Sequence, residues 1–200
     1  AFGVASIDEA LVLREAGIKQ PILLLEGTFS CDEVGVAADN NFILMVENSA
    51  QKDAILNASI SRPVSVWLGI DTGMHRLGFE PHEATQAYLA LSNTDNVAKP
   101  IVAASHFACA DDLGSSATER QVVIFDQCTA SMADATNDVI AKSLGNSAAI
   151  LAWPKTHRDW QRPGYMLYGN SPFSEDQDNA NKLQPVMSLQ SAVISLRHIA

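Results

Sequence analysis

VSVWLGIDTGMHRLGF, residues 64–79, begins as an apolar run and ends as a glycine-flanked polar loop carrying Asp71, His75 and Arg76. Two later segments have the same form. GNSAAILAWP (145–154) follows a short strand and offers an amide and a hydroxyl, Asn146 and Ser147. DWQRPGYMLYG (159–169) offers a second guanidinium, Arg162, and a glycine turn. Each puts a distinct chemical tool at the end of a strand. Strand ends that converge are where α/β barrels build their sites.

Outward from these segments, strand and helix signals alternate. Strands are read at AFGVA, PILLLEG, FILMVEN, VSVWLGID, IVAASHFA, AKSLGNS and GYMLYG. PILLLEG and FILMVEN lack polar alternation, as expected of strands buried on both faces. Helices are read between them. SIDEALVLREAG has Ser6 as N-cap, Glu9 three residues on, and Gly17 as its stop. Ser49 opens SAQKDAILNAS, and Pro81 sits in the first turn of PHEATQAYLALSN. CDEVGVAADN, ATERQVVIFDQCTASM and AAILAW complete the series. Seven such units predict an α/β fold, a (β/α)8 TIM barrel missing its first βα unit. An open doubly wound sheet would carry a glycine-rich phosphate loop after its first strand, and none is present. The barrel is expected over 1–170, with a polar, turn-rich linker over 171–184. From Pro185 the pattern switches to period two, predicting the start of a C-terminal β domain whose first strand spans 185–200.

The 200 residues are 47% hydrophobic, enough for one sizeable core. Thirteen basic against 23 acidic residues give a net charge of −10, which disfavours nucleic acid and anionic membranes as partners. Cys31, Cys109 and Cys128 are far apart with no CxxC pair, as in reduced thiols rather than a metal site. No apolar run approaches the ~20 residues of a membrane span, so the expected location is cytoplasmic. The chain opens on Ala1 inside an apolar strand pattern and closes on VISLRHIA. Both are expected to be cuts within a longer protein.

Arg76 at a strand end can hold a carboxylate through two parallel hydrogen bonds, or it can be a surface residue paired with Asp71. His106 ends its strand either as a satisfied core histidine or as a site residue. Ser147 reads as an N-cap, an anion ligand, or both. With Asn146 and the Arg162-Pro163-Gly164-Tyr165 turn, it lies where barrels commonly hold phosphate, in the loops after the last strands. His75, His82, His157 and His198 have no comparable context.

Together, the three segments closely resemble alanine racemases, which depend on pyridoxal 5'-phosphate. The resemblance implies that Arg76 contacts the substrate carboxylate and the phenolic oxygen of the cofactor. His106 would lie beside the cofactor and hydrogen-bond toward Arg162. Arg162 would face the pyridine nitrogen without surrendering its proton, giving a weaker electron sink suited to racemisation. Ser147 and the backbone of Gly164 and Tyr165 would hold the phosphate, with Asn146 nearby. At Gly69 the sequence departs from the pattern. Many relatives carry there a carbamylated lysine whose charge positions the arginine. The departure implies that a chloride, a water or another side chain substitutes, or that Arg76 is less firmly held.

The resemblance also implies two acid/base groups outside this chain: a cofactor-bearing lysine on a preceding strand, and a tyrosine from a partner subunit. Tyr168 is not that tyrosine. The expectation is a homodimer with shared sites that interconverts L- and D-alanine for peptidoglycan, and an inactive 200-residue segment. A broad-specificity amino-acid racemase, a non-catalytic cofactor-binding barrel and a pseudo-enzyme kept as a dimer partner remain as alternatives.

Overall fold

A computed structural model describes residues 1–199. Six parallel strands form one sheet in consecutive order: β1 (Phe2–Val4), β2 (Ile22–Leu24), β3 (Phe42–Val46), β4 (Val64–Gly69), β5 (Val97–Ala104) and β6 (Ala141–Ser143). Every crossover carries a helix: α1 (Ile7–Glu15), α2 (Asp32–Asn40), α3 (Ser49–Leu56), α4 (Pro81–Ser92) and α5 (Ala117–Thr136), with α6 (Ser147–Ala152) after β6. The sheet curls as part of a TIM-type barrel.

Alternation along the strands divides their side chains between two cores. Ile22, Leu24, Leu44, Val46, Val66, Leu68 and Ala103 face the helices. Leu23, Met45, Trp67, Val102 and Ala104 face the concave interior. Both faces are therefore dry, which is why these strands read as apolar runs. The pairings Val46↔Leu68, Leu68↔Ala103 and Ala104↔Ser143 fix which residues share a layer. One step beyond Val46 and Leu68, Glu47 and Gly69 reach the interior side at the carboxyl mouth, level with Ala104 and Ser143.

Local signals account for the helix ends, with two adjustments. Ser6 has the extended backbone of a cap, but its hydroxyl accepts no N–H; Glu9 Oε2 instead receives the Ala5 N–H at 2.8 Å. Helix α3 begins at Ser49 as expected, yet Asn48 is the residue that caps it, accepting the Gln51 N–H at 3.0 Å.

The expected seventh strand at GYMLYG is not one. Tyr165–Tyr168 is a turn of 3-10 helix ending at Gly169, φ +83°. Ser147 Oγ accepts the N–H groups of Gly164 and Met166, both at 3.1 Å, which draws this segment away from the ladder. The chain meets the sheet earlier, in a single parallel bridge between Ser143 and Trp160. Residues 183–199 contain no helix or strand, and their apolar side chains from Val186 to Ile199 are exposed. Ala200, the end of the strand expected over 185–200, lies outside the described residues.

Candidate active site at the carboxyl ends of the strands

Arg76 stands on the loop between β4 and α4, and the shape of that loop follows from Asp71. Its Oδ1 accepts the N–H groups of Gly73, Met74 and His75 at 3.0–3.1 Å, and its Oδ2 meets His75 Nδ1 at 3.0 Å. Burial would raise the Asp71 pKa, but these N–H groups and the His75 ring outweigh it and hold the carboxyl below its ordinary value. The loop is closed by an Ile70↔Phe79 bridge. Asp71 is thus committed to the loop and to His75, and the surface pairing with Arg76 that the sequence allowed is absent. Arg76 is exposed, with no hydrogen-bond or ion-pair partner among the described residues.

Arg162 is anchored from several sides. Its Nη1 donates to Ser143 Oγ, and its Nη2 donates to Ser105 O at 2.6 Å and Leu144 O at 3.4 Å. Nη2 also lies 3.4 Å from His106 Nδ1. Burial lowers the Arg162 pKa to about 10, opposed by Glu47, so the guanidinium stays charged at neutral pH. Of its five N–H donors, the Nε–H and one Nη1–H have no acceptor among the described residues.

His106 is held neutral. Burial, then the charges of Arg162 and Arg76, push its pKa down to about 4. A neutral ring can accept from Arg162 at Nδ1 and keep its other nitrogen protonated. Its backbone is fixed by Gln121 of α5, whose Nε2 donates to His106 O at 2.9 Å and Thr72 Oγ1 at 3.1 Å, while its Oε1 accepts the Ala108 N–H. Thr72 Oγ1 is 2.7 Å from Ser105 Oγ. One helix residue thereby ties together the loops that carry Arg76 and His106.

The third element is the start of α6. Asn146, rather than Ser147, is its N-cap, accepting the Ala149 N–H at 3.1 Å. This frees the Ser147 hydroxyl to organise the Gly164–Met166 turn. The N–H groups of Ser147, Ala148 and Tyr165 have no acceptor among the described residues. A Cβ at Gly164 would meet nothing within 4 Å, so this backbone borders open space. Free N–H groups at a helix start beside a glycine turn suit an oxyanion of the phosphate type. Tyr165 itself is exposed.

The sequence did not single out Glu47. It is the first polar residue after β3, and burial raises its pKa to about 7 against the lowering charges of Arg162 and Arg76. Its position at a strand end was the available signal, the same one that marked Arg76. Ser105, Ser143 and Gln121 were also missed, because their roles depend on contacts between distant elements.

Comparison with known proteins identifies the family. The family "Alanine racemase, N-terminal domain" matches residues 1–172. Alanine racemase of Pseudomonas syringae pv. syringae is 44% identical over 198 residues, covering 99% of this chain and 54% of that protein. The catabolic alanine racemase of Pseudomonas aeruginosa is 45% identical over the same shares of the two chains. Among solved structures, the biosynthetic alanine racemase from Pseudomonas aeruginosa superposes with a TM-score of 0.82 at 37% identity, over 92% of this chain and 50% of that one. Alanine racemase from Acinetobacter baumannii gives 0.81 at 36%, with the same coverage. The chain spans about half the length of the curated relatives it matches. By sequence, by sheet topology and by family match, it belongs to the alanine racemase family, in that family's N-terminal barrel domain.

Proposed function

We propose that this chain is the barrel portion of a pyridoxal 5'-phosphate-dependent alanine racemase that supplies D-alanine for peptidoglycan. The observation that carries the reading is the convergence, at one barrel mouth, of Arg76, neutral His106, half-buried Arg162 and the Ser147–Gly164 turn. The donor set fits the cofactor: free N–H groups beside Gly164 for a phosphate, and spare Arg162 donors for a ring nitrogen.

When bound, pyridoxal phosphate supplies the electron sink that makes the α-proton of an amino acid labile. The protein's part is to hold and orient. Ser147, through its hydroxyl proton and its free N–H, would hold the phosphate together with the Tyr165 N–H, Gly164 leaving room for its close approach, and Asn146 keeps the helix start in place. Arg162 donates a hydrogen bond while retaining its own proton, because its pKa of about 10 remains well above neutrality. Arg76, exposed and unpaired, is available to a substrate carboxylate. His106 buttresses Arg162 without adding charge.

Racemisation needs a proton acceptor on one face of the α-carbon and a donor on the other. Lys142 does not serve, since it pairs with Ala103 of the helix-side core and faces away from the mouth. In this reading a lysine and a partner subunit's tyrosine, both outside residues 1–200, do that work in a cytoplasmic homodimer. The alternating stretch 185–200 opens the β domain that completes the subunit.

The test uses the full-length protein loaded with pyridoxal phosphate. Loss of the α-proton signal of L-alanine in D2O, followed by NMR, should accompany formation of D-alanine. Cofactor binding without α-proton exchange would overturn the reading in favour of a non-catalytic barrel. Equal turnover of larger amino acids would replace alanine with a broader substrate class.

A further inference from the structure

Glu47 and Gly69 belong to one arrangement. They occupy the same layer of adjacent strands, one step beyond the Val46↔Leu68 pair. A Cβ on Gly69 would fall on the Glu47 carboxyl group, with Oε1 3.1 Å away and Oε2 closer still. The glycine leaves a space, and the carboxyl group of the next strand fills it. Ala104, paired with Gly69 on the other side, is also too small to occupy that space.

The surroundings of this carboxyl group are cationic. Arg162 and Arg76, on different segments, are the charged groups that act on Glu47, and the nearby His106 is neutral. Arg162 is already secured by Ser143, Ser105 and Leu144. Arg76 has no hydrogen-bond or ion-pair partner among the described residues, Glu47 included, so the carboxyl group acts on it through charge across a gap rather than by contact. A single anion at the mouth would therefore do most for the orientation of Arg76. The carboxylate form becomes the dominant one as pH rises past about 7, and closer approach of Arg76 would favour ionisation further.

We propose that Glu47 is a positioning residue: its carboxylate, lodged in the space left open by Gly69, is the built-in anion that orients Arg76 at the mouth of the barrel. Glycine at 69 and glutamate at 47 then act as a unit, and neither is explained alone. The role of Arg76 toward a substrate carboxylate rests on the function proposed above, whereas the coupling of Glu47 to Arg76 does not.

Two measurements on the full-length protein separate these points. The first needs no activity. In cofactor-free protein labelled at the glutamate carboxyl carbon, the Glu47 resonance is identified by its absence in Glu47→Gln, and its titration is followed by NMR. Replacing the exposed Arg76 with Leu should move the Glu47 midpoint upward. An unchanged midpoint would overturn the coupling, whatever the protein catalyses.

The second measurement is kinetic. Glu47→Ala should lower kcat/KM for alanine by about tenfold to a hundredfold, the scale expected when a substrate-holding group is misplaced. Sodium formate should restore part of the loss, and neutral formamide should not. Gly69→Ala, which evicts the carboxyl group, should show the same loss. Unchanged kinetics in Glu47→Gln, or equal rescue by formate and formamide, would reduce Glu47 to a packing residue. If the loaded protein does not turn over alanine at all, the functional reading fails while the NMR result stands.

Discussion

At the scale of single residues, the site depends on a few positions that admit no substitute. Gly78 has φ +110°, and a Cβ there would lie 2.6 Å from Asp71 N and 2.8 Å from Ile70 C. Backbone cannot move aside as a flexible side chain can. Gly78→Ala should therefore destabilise the protein by about 1–3 kcal/mol, measured by urea denaturation of the full-length chain. The Asp71 turn should loosen with it, and binding of a carboxylate substrate should weaken. A variant as stable as the parent would mean that the loop relaxes without cost. Asp71 shows what sequence alone leaves open. It stands five residues before Arg76 and looks like its partner, but three N–H groups and an imidazole have already claimed it.

At the scale of elements, α5 is more than a cover for the sheet. Gln121 is 3% exposed and spans Thr72, His106 and Ala108. Gln121→Leu keeps the bulk and removes the hydrogen bonds, leaving buried polar groups unpaired at about 1–3 kcal/mol each. The expected result is a lower urea midpoint, together with faster hydrogen exchange in residues 71–79 and 105–108 than in the strands. Uniform exchange across the chain would deny the helix this local role.

The strands themselves were legible because both faces are dry and the apolar runs are unbroken. GYMLYG failed for a specific reason: an apolar run bounded by glycines reads as a strand, and only Ser147, 17 residues earlier, shows that its N–H groups are taken. The arginines, His106 and the α6 start were legible as chemical groups at strand ends. Glu47 was not, because its meaning comes from register with a glycine on the neighbouring strand.

At the scale of the whole molecule, two titrating groups oppose each other. His106 has its pKa lowered from 6.5 to about 4, so the folded state refuses a proton that the unfolded state accepts. Its contribution to stability is present above 6.5 and is lost as pH falls toward 4. Glu47 has its pKa raised from 4.5 to about 7, so the folded state keeps a proton that the unfolded state releases. Its contribution is present below 4.5 and is lost as pH rises toward 7.

Between pH 4.5 and 6.5 the two slopes have opposite sign and largely cancel. In cofactor-free full-length protein, Glu47→Gln should tilt the stability profile relative to the parent. Stability should then rise with pH across this window by up to about 1.4 kcal/mol per unit, as measured by urea denaturation at each pH. No tilt would show that Glu47 ionises as freely in the fold as in the open chain, and a tilt in the other direction that it ionises more readily there.

The interior holds one further consequence. Trp67 of β4 and Trp160 beyond β6 approach across the concave face, with ring centroids 5.6 Å apart and planes tilted by 57°. Two indoles so close and so inclined share their electronic excitation. Their coupled transitions should give the protein a paired positive and negative band in circular dichroism. The signal arises from curvature rather than from secondary structure, and it would vanish if the sheet flattened while every helix stayed intact.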